Sequence, residues 1–263
     1  MPRTPSFPEY SQVVGRPAEC VVAHRGGRWS GLTENTLEAF AAAVDLGLPW
    51  IETDVHASRD GVLYAFHDDR LDRIAGHDLA IGDLDAATID TLELPGGTRI
   101  PRFAQVLVEF PETSFNIDVK ADRSIASTVR TLRSTGAEAR VRVASFSSRR
   151  LGTLRSALPG VRTSAGTAEI AAFLLGRTTI ARRFHPSVDC LQVPVREGVV
   201  PVVTAATVRA AHAAGLEVHV WTVNEESEME RLLRLGVDVL VTDEPRLALE
   251  VTSRVASGNG RTR

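Results

Sequence analysis

Cysteine is almost missing from this 263-residue chain: Cys20 and Cys190 are its two thiols, too few for a disulfide framework. Each stands in a Val- and Leu-rich strand pattern, which reads as a buried free thiol. No apolar run approaches the ~20 residues needed to cross a bilayer, and residues 1–17 carry no apolar signal core. A membrane-spanning protein is therefore excluded, and a cytoplasmic location is expected. Excess charge of one sign is lacking too. Thirty basic and 33 acidic residues, scattered along the chain, leave a net charge of -3 and no basic stripe for nucleic acid. A small-molecule substrate is the expectation, and oligomeric state is not legible.

What is present is an ordinary globular composition, 43% hydrophobic and 24% charged, long enough for one large core. Short β-branched runs at 20–24, 50–56, 114–120, 140–145, 161–165, 188–193, 217–222 and 238–242 read as strands. They alternate with helical patterns at 36–46, 102–110, 124–134, 148–157, 167–175, 205–214, 225–235 and 246–253. Eight strands and eight helices predict an α/β fold, a (β/α)8 TIM barrel. The alternative, a doubly wound open sheet, would want a G-x-G-x-x-G turn after the first strand, and Gly26-Gly27-Arg28-Trp29-Ser30-Gly31 lacks that spacing.

The expected barrel domain spans 20–253, after an N-terminal extension, 1–19, and before a disordered tail, 254–263. Residues 62–66 extend the sheet after the Asp60-Gly61 turn. Residues 68–100 are too long for a single loop and form a small insertion after the second strand, expected over the barrel mouth.

Alternation along the strands places the chemistry. In Asn116-Ile117-Asp118-Val119-Lys120 the polar residues share one face, as do Glu52, Asp54 and His56 on the second strand. With one face given to helices, the polar face lines the barrel, where Glu52, Asp54 and Asp118 converge near the mouth. Three oxygen donors without cysteine suit Mg²⁺ or Ca²⁺. The competing reading is an internal salt-bridge network with Arg25 and Lys120. His24 and His67 end strands beside charged residues, a placement that fits a general acid and general base. Asn35, with Glu38 three residues later, reads as a helix N-cap, and Glu34 as a further pocket acid that contacts glycerol or steadies Arg25. Trp221 and Phe146, at or past strand ends, serve either as an apolar substrate wall or as core.

The ordered set His24-Arg25-Gly26, Glu34-Asn35-Thr36, Glu52-x-Asp54, Asp60-Gly61, His67-Asp68, Asn116-Ile117-Asp118-Val119-Lys120, Trp221-Thr222-Val223-Asn224, Gly236-Val237-Asp238 and Thr242-Asp243-Glu244-Pro245 resembles the glycerophosphodiester phosphodiesterase family. The resemblance implies hydrolysis of glycerophosphodiesters to glycerol 3-phosphate and an alcohol, helped by a divalent cation. It implies acid and base roles for His24 and His67, metal ligation by Glu52 and Asp54, and phosphate contacts from Arg25 and Lys120. Two positions depart from the pattern: Asp118 stands where Glu is commoner, and Thr33 where Pro is. Rival readings are a phospholipase-D-like activity on lysophospholipids, which would want an apolar rim, and a phosphodiester-binding barrel without turnover.

Overall fold

Eight parallel strands close on themselves in the computed structural model, which describes residues 17–176 and 187–258. They are β1 (Val21–Ala23), β2 (Trp50–Ala57), β4 (Ser114–Val119), β5 (Val141–Ala144), β6 (Arg162–Ser164), β7 (Val188–Pro194), β10 (Glu217–Trp221) and β11 (Val239–Thr242). The ring closes where β1 pairs with both β11 and β2, Ala23 lying opposite Thr242 on one side and Ile51 on the other. Closure settles the choice against the open sheet. The helices α1 (Leu37–Asp45), α4 (Phe103–Glu109), α5 (Ser124–Thr135), α6 (Ser148–Ala157), α7 (Thr167–Leu174), α8 (Ala205–Ala213), α9 (Glu226–Leu235) and α10 (Pro245–Ala256) follow the predicted positions within a few residues.

Alternation along each strand sorts the side chains. Ile51, Val55, Ile117 and Val119 pack outward with Phe40, Phe103 and Val106 in one buried apolar layer. The residues between them, Glu52, Asp54, Asn116 and Asp118, face the cavity inside the barrel. The β2–β4 register sets Glu52 beside Asn116 and Asp54 beside Asp118, so the carboxylates of two strands meet at one height.

Lower in the barrel, Arg142 is fully buried, stacks over Trp50 at 5.1 Å and forms a forked pair with Asp189 at 2.9 and 2.7 Å. His219 accompanies Arg142 there, buried, with Nε2 3.0 Å from Glu217. Position on the N-terminal half of the strands makes this plug a stabilising feature rather than a reactive one.

β3 (Leu63–Ala65) pairs antiparallel with β2, extending the sheet as expected. The 68–100 segment then folds on its own apolar cluster, in which Leu71, Ile81, Ile89 and Leu94 pack on Tyr64 and Phe66. Its short helices are α2 (Asp72–Ala75) and α3 (Ala86–Ile89). After β7 a hairpin of β8 (Arg196–Glu197) and β9 (Val200–Pro201), absent from the sequence reading, rises beside the mouth.

Two expectations are corrected. The N-cap of α1 is Thr36, whose hydroxyl accepts the Ala39 N–H, and not Asn35. The last helix runs to Ala256, so 254–256 of the expected tail are helical, because Val251 and Val255 carry its apolar face onto the core; 259–263 lie outside the described residues. At the other end, residues 17–20 of the chain form a 3₁₀ turn on the barrel's base, while 1–16 of the expected extension and His185 are also outside the described residues. Among the described residues, no helix is long and apolar enough to cross a membrane.

Candidate active site

The loop after β1 turns sharply at the barrel mouth because Gly26 and Gly27 both adopt positive φ, +87° and +88°. A Cβ on Gly26 would lie 2.9 Å from Phe40, so the turn is tight against α1 as well as left-handed. Arg25, at φ +53°, shares the unusual backbone and thereby points its own N–H at Glu52 Oε2, 3.1 Å away.

His24, the first residue of this turn, has Nδ1 2.6 Å from Asp243 Oδ1 and Nε2 3.9 Å from Glu52. Burial by itself would depress its pKa, but the Asp243 hydrogen bond and the Glu52 charge outweigh it and raise the pKa above the usual value. Asp243 is in turn kept low: burial opposes ionisation, yet hydrogen bonds from His24 and from Asn224 (2.7 Å) prevail. An ionised Asp243 has no proton to give, so His24 Nδ1 donates and Nε2 faces the cavity.

His67 repeats the design. Its Nδ1 lies 2.7 Å from Asp68 Oδ1, and Asp68 is held below the usual carboxylate range, burial being outweighed by hydrogen bonds from Arg73 and His67. His56 is buried on β2 with Nε2 3.1 Å from the His67 carbonyl oxygen. Burial lowers its pKa, so a neutral ring donates to that carbonyl and helps hold the His67 backbone.

Between the histidines lie the carboxylates and their cations. Lys120 Nζ bridges Asp54 (2.8 Å) and Asp118 (2.7 Å), and Arg25 reaches Glu34 (2.9 Å) and Asp54 (3.4 Å). The salt-bridge network is therefore present, and Glu52 and Asp118 are its least neutralised members. Among the described residues Glu52 has no Lys or Arg side chain of its own; burial and the neighbouring Asp54 push its pKa up to about 7. Asp118 Oδ1 is buried without a hydrogen-bond partner, and burial raises that group too.

Asn35, read as a cap, belongs to the site instead. It is buried at φ +57°, accepts the Thr53 hydroxyl at 2.7 Å and reaches Asp54 Oδ2 with its amide at 3.4 Å. Asn tolerates this backbone better than most residues.

These groups open on a cavity of about 590 Å³. His24, Arg25, Glu52, Asp54, His67, Asp118 and Lys120 all line it, so the structure brings the sequence-predicted residues together; Glu34 stands behind Arg25 rather than in the lining. Trp221 also lines it, with Phe146 edge-on at 5.8 Å, and both are wall rather than core: Phe146 is 62% exposed. Ile170 and Leu174 of α7 continue that apolar wall.

Sequence reasoning assigned no role to Asp243, Asn224, Asp68 or Arg73. The signal available was position, since Asp243 directly follows β11 and Asp68 directly follows His67.

The sequence profile of the Glycerophosphoryl diester phosphodiesterase family matches residues 24–247. The chain is 41% identical over 235 residues to the Probable glycerophosphodiester phosphodiesterase 2 of Mycobacterium tuberculosis, covering 88% of this chain and 89% of that one. Among solved structures, a glycerophosphodiester phosphodiesterase of Agrobacterium tumefaciens superposes with a TM-score of 0.71 at 26% identity, covering 89% and 98% of the two chains. The Oleispira antarctica phosphodiesterase solved with the product sn-glycerol-3-phosphate shares the fold, with a TM-score of 0.70 at 24% identity and coverage of 90% and 96%.

Proposed function

Because the chain belongs to the glycerophosphoryl diester phosphodiesterase family, we propose that it hydrolyses glycerophosphodiesters to glycerol 3-phosphate and an alcohol, with His24 and His67 as its acid and base. The observation that carries this reading is the pair of imidazoles, each with Nδ1 on an aspartate, bordering one cavity with Arg25 and Lys120. Each imidazole is held in a single tautomer, the arrangement that lets a histidine exchange a proton with a reacting oxygen.

The raised pKa of His24 favours it as the acid that protonates the leaving alkoxide. His67 then takes the proton of the attacking oxygen, which belongs either to water or to the neighbouring glycerol hydroxyl. Arg25 and Lys120 bind the non-bridging oxygens of the phosphate.

Charge balance supports a divalent cation of the Mg²⁺ or Ca²⁺ type. Three inner carboxylates, Glu52, Asp54 and Asp118, face Arg25, Lys120 and a protonated His24, and the phosphodiester adds a further negative charge, so full ionisation of the carboxylates leaves an excess negative charge that a cation would offset. Glu52 and the open Oδ1 of Asp118 are the oxygens with room for one, and Asp54 completes the donor set. Among the described residues these groups are gathered around Lys120 and do not close into a ready-made metal cluster. When bound, the cation would neutralise charge on the phosphate.

A second reading, phospholipase-D-like cleavage of lysophospholipids, draws on the apolar wall. The rim that such a substrate wants is mixed in the 68–100 segment but apolar on α7, where Ile170 and the 42%-exposed Leu174 line the cavity.

The test is release of glycerol 3-phosphate from glycerophosphocholine, with lysophosphatidylcholine assayed in parallel, under Mg²⁺, Ca²⁺ or chelator. Metal-dependent release that His24→Ala or His67→Ala lowers by about 10²–10⁴-fold is the expected result. Release undiminished by chelator removes the cation, and choline release from the lysolipid alone moves the second reading to the front.

A further inference from the structure

Arg73 is the one side chain of the 68–100 segment that touches partners of both a candidate catalytic histidine and a candidate phosphate-binding arginine, among the described residues. Its Nε lies 2.6 Å from Asp68 Oδ2, whose other oxygen receives His67 Nδ1. Its Nη2 lies 2.6 Å from Glu34 Oε1, the same oxygen that Arg25 Nη1 approaches at 2.9 Å. A continuous chain therefore runs His67–Asp68–Arg73–Glu34–Arg25–Asp54 along the rim.

Within this chain of contacts His67 and Asp68 belong to the segment after β3, and Arg25 and Glu34 to the loop after β1. Arg73 is where they join. It is held there by a platform: Leu71, fully buried in the apolar cluster of the segment, sits two residues away, and Gly76 ends α2 at φ +71° with its N–H on the Asp72 carbonyl. A guanidinium suits the task because its donors form a rigid fork, which reaches two carboxylates at once where an ammonium offers a point charge.

Two effects on the chemistry follow. Asp68, bonded by Arg73 on one oxygen, presents the other as a fixed acceptor, and this selects the Nδ1–H tautomer of His67. Glu34 divides its charge between Arg73 and Arg25; without Arg73 the whole carboxylate would draw on Arg25 and compete with a substrate phosphate. An ion pair as exposed as Arg73, 47% accessible, contributes little to folding, so its effect belongs to geometry rather than stability.

We propose that Arg73 is a positioning residue of the hydrolase, setting the tautomer of His67 through Asp68 and the availability of Arg25 through Glu34. The proposal rests on the acid–base reading of His67 given above.

The experiment compares wild type with Arg73→Ala, Arg73→Lys, Asp68→Asn, His67→Ala and the Arg73→Ala/Asp68→Asn double variant in glycerophosphocholine hydrolysis. Imidazole ¹⁵N spectra and Tm are recorded for each. Arg73→Ala is expected to lower kcat roughly 10–100-fold, the range seen when an orienting partner is lost, to raise KM, and to leave Tm near wild type. The double variant is expected to match the kcat of Asp68→Asn, because both changes break the path to His67, and to keep the raised KM that loss of Arg73 causes through Glu34. His67 Nδ1–H is expected to give way to a tautomer mixture in Arg73→Ala, and Arg73→Lys to recover only part of kcat. Wild-type kcat and an unchanged His67 spectrum in Arg73→Ala, with His67→Ala inactive, would overturn the proposal; full kcat in Arg73→Lys would overturn the forked geometry. Full activity in His67→Ala would instead overturn the acid–base reading on which the proposal stands.

Discussion

His24 and His67 show how a single side chain acquires a role from what stands behind it. The ring nitrogen facing the cavity is defined by the carboxylate on the other nitrogen, Asp243 for one and Asp68 for the other. For His24 the consequence is directional in pH. Its folded pKa is raised, so in the proposed role of general acid it stays charged to higher pH, and activity is expected to fall as pH rises through that value. Asp243→Asn removes the hydrogen bond that raises it, and the descending limb of kcat/KM is expected to move to lower pH. A limb that stays in place would show that the acid is another group. Asn35 offers a contrast with its neighbour. Asn35→Ala frees the Thr53 hydroxyl and an oxygen of Asp54, and is expected to lower kcat, whereas Thr36→Ala removes the cap of α1, costing about 1 kcal/mol in urea unfolding at wild-type kcat.

The element that does most at the mouth is the turn from β1 into α1. Positive φ at Arg25, Gly26 and Gly27 aims the Arg25 N–H at Glu52 while the guanidinium crosses to Glu34 and Asp54. Gly26→Ala meets both the left-handed backbone and the Phe40 ring. It is expected to destabilise by roughly 1–3 kcal/mol and to lower kcat/KM, as read by denaturant unfolding and by glycerol 3-phosphate release; wild-type values for both would show that the turn relaxes freely. The strand β2 works differently, carrying Trp50, Glu52, Asp54 and His56 up one face, so the barrel base, the carboxylates and the support of His67 share one line.

Across the whole molecule, charge is buried at two levels of the barrel, and the two behave differently. The mouth carries the groups of the proposed active site; the base carries Arg142, Asp189, Glu217 and His219 as a plug. Burial pushes Glu217 up to about 8 and His219 down to about 3, so at neutral pH the fold favours the uncharged form of each. For Glu217 the sign is clear. The unfolded chain releases this proton near pH ~4 while the folded chain keeps it to about pH 8, so its stabilisation is lost as pH rises across that window. Glu217→Gln is expected to flatten the fall in Tm between pH 5 and pH 8 without altering kcat. Glu52, pushed up to about 7, contributes in the same direction, so the variant removes part of the slope rather than all of it. A slope equal to wild type would show that Glu217 is ionised in the fold.

Periodicity determined the alternation of eight strands and eight helices, and strand alternation determined which side of β2 and β4 is polar, because a period of two assigns faces without reference to any partner; closure into a barrel rests on the pairing of β1 with both β2 and β11. The ordered motifs determined the family. What lay beyond them was every contact between residues far apart in the chain. That Asp243 backs His24 across 219 positions depends on the β1–β11 register, and the salt-bridge network with Lys120, which the sequence offered as a competing reading, took its geometry from the β2–β4 register. Asn35 was misread for the same reason: its local pattern fits a cap, but the cap passes to Thr36 once Asn35 turns left-handed to meet Thr53 and Asp54. Arg73 was invisible in the sequence because its partners are chosen by the packing of Leu71, and packing is a property of the assembled core.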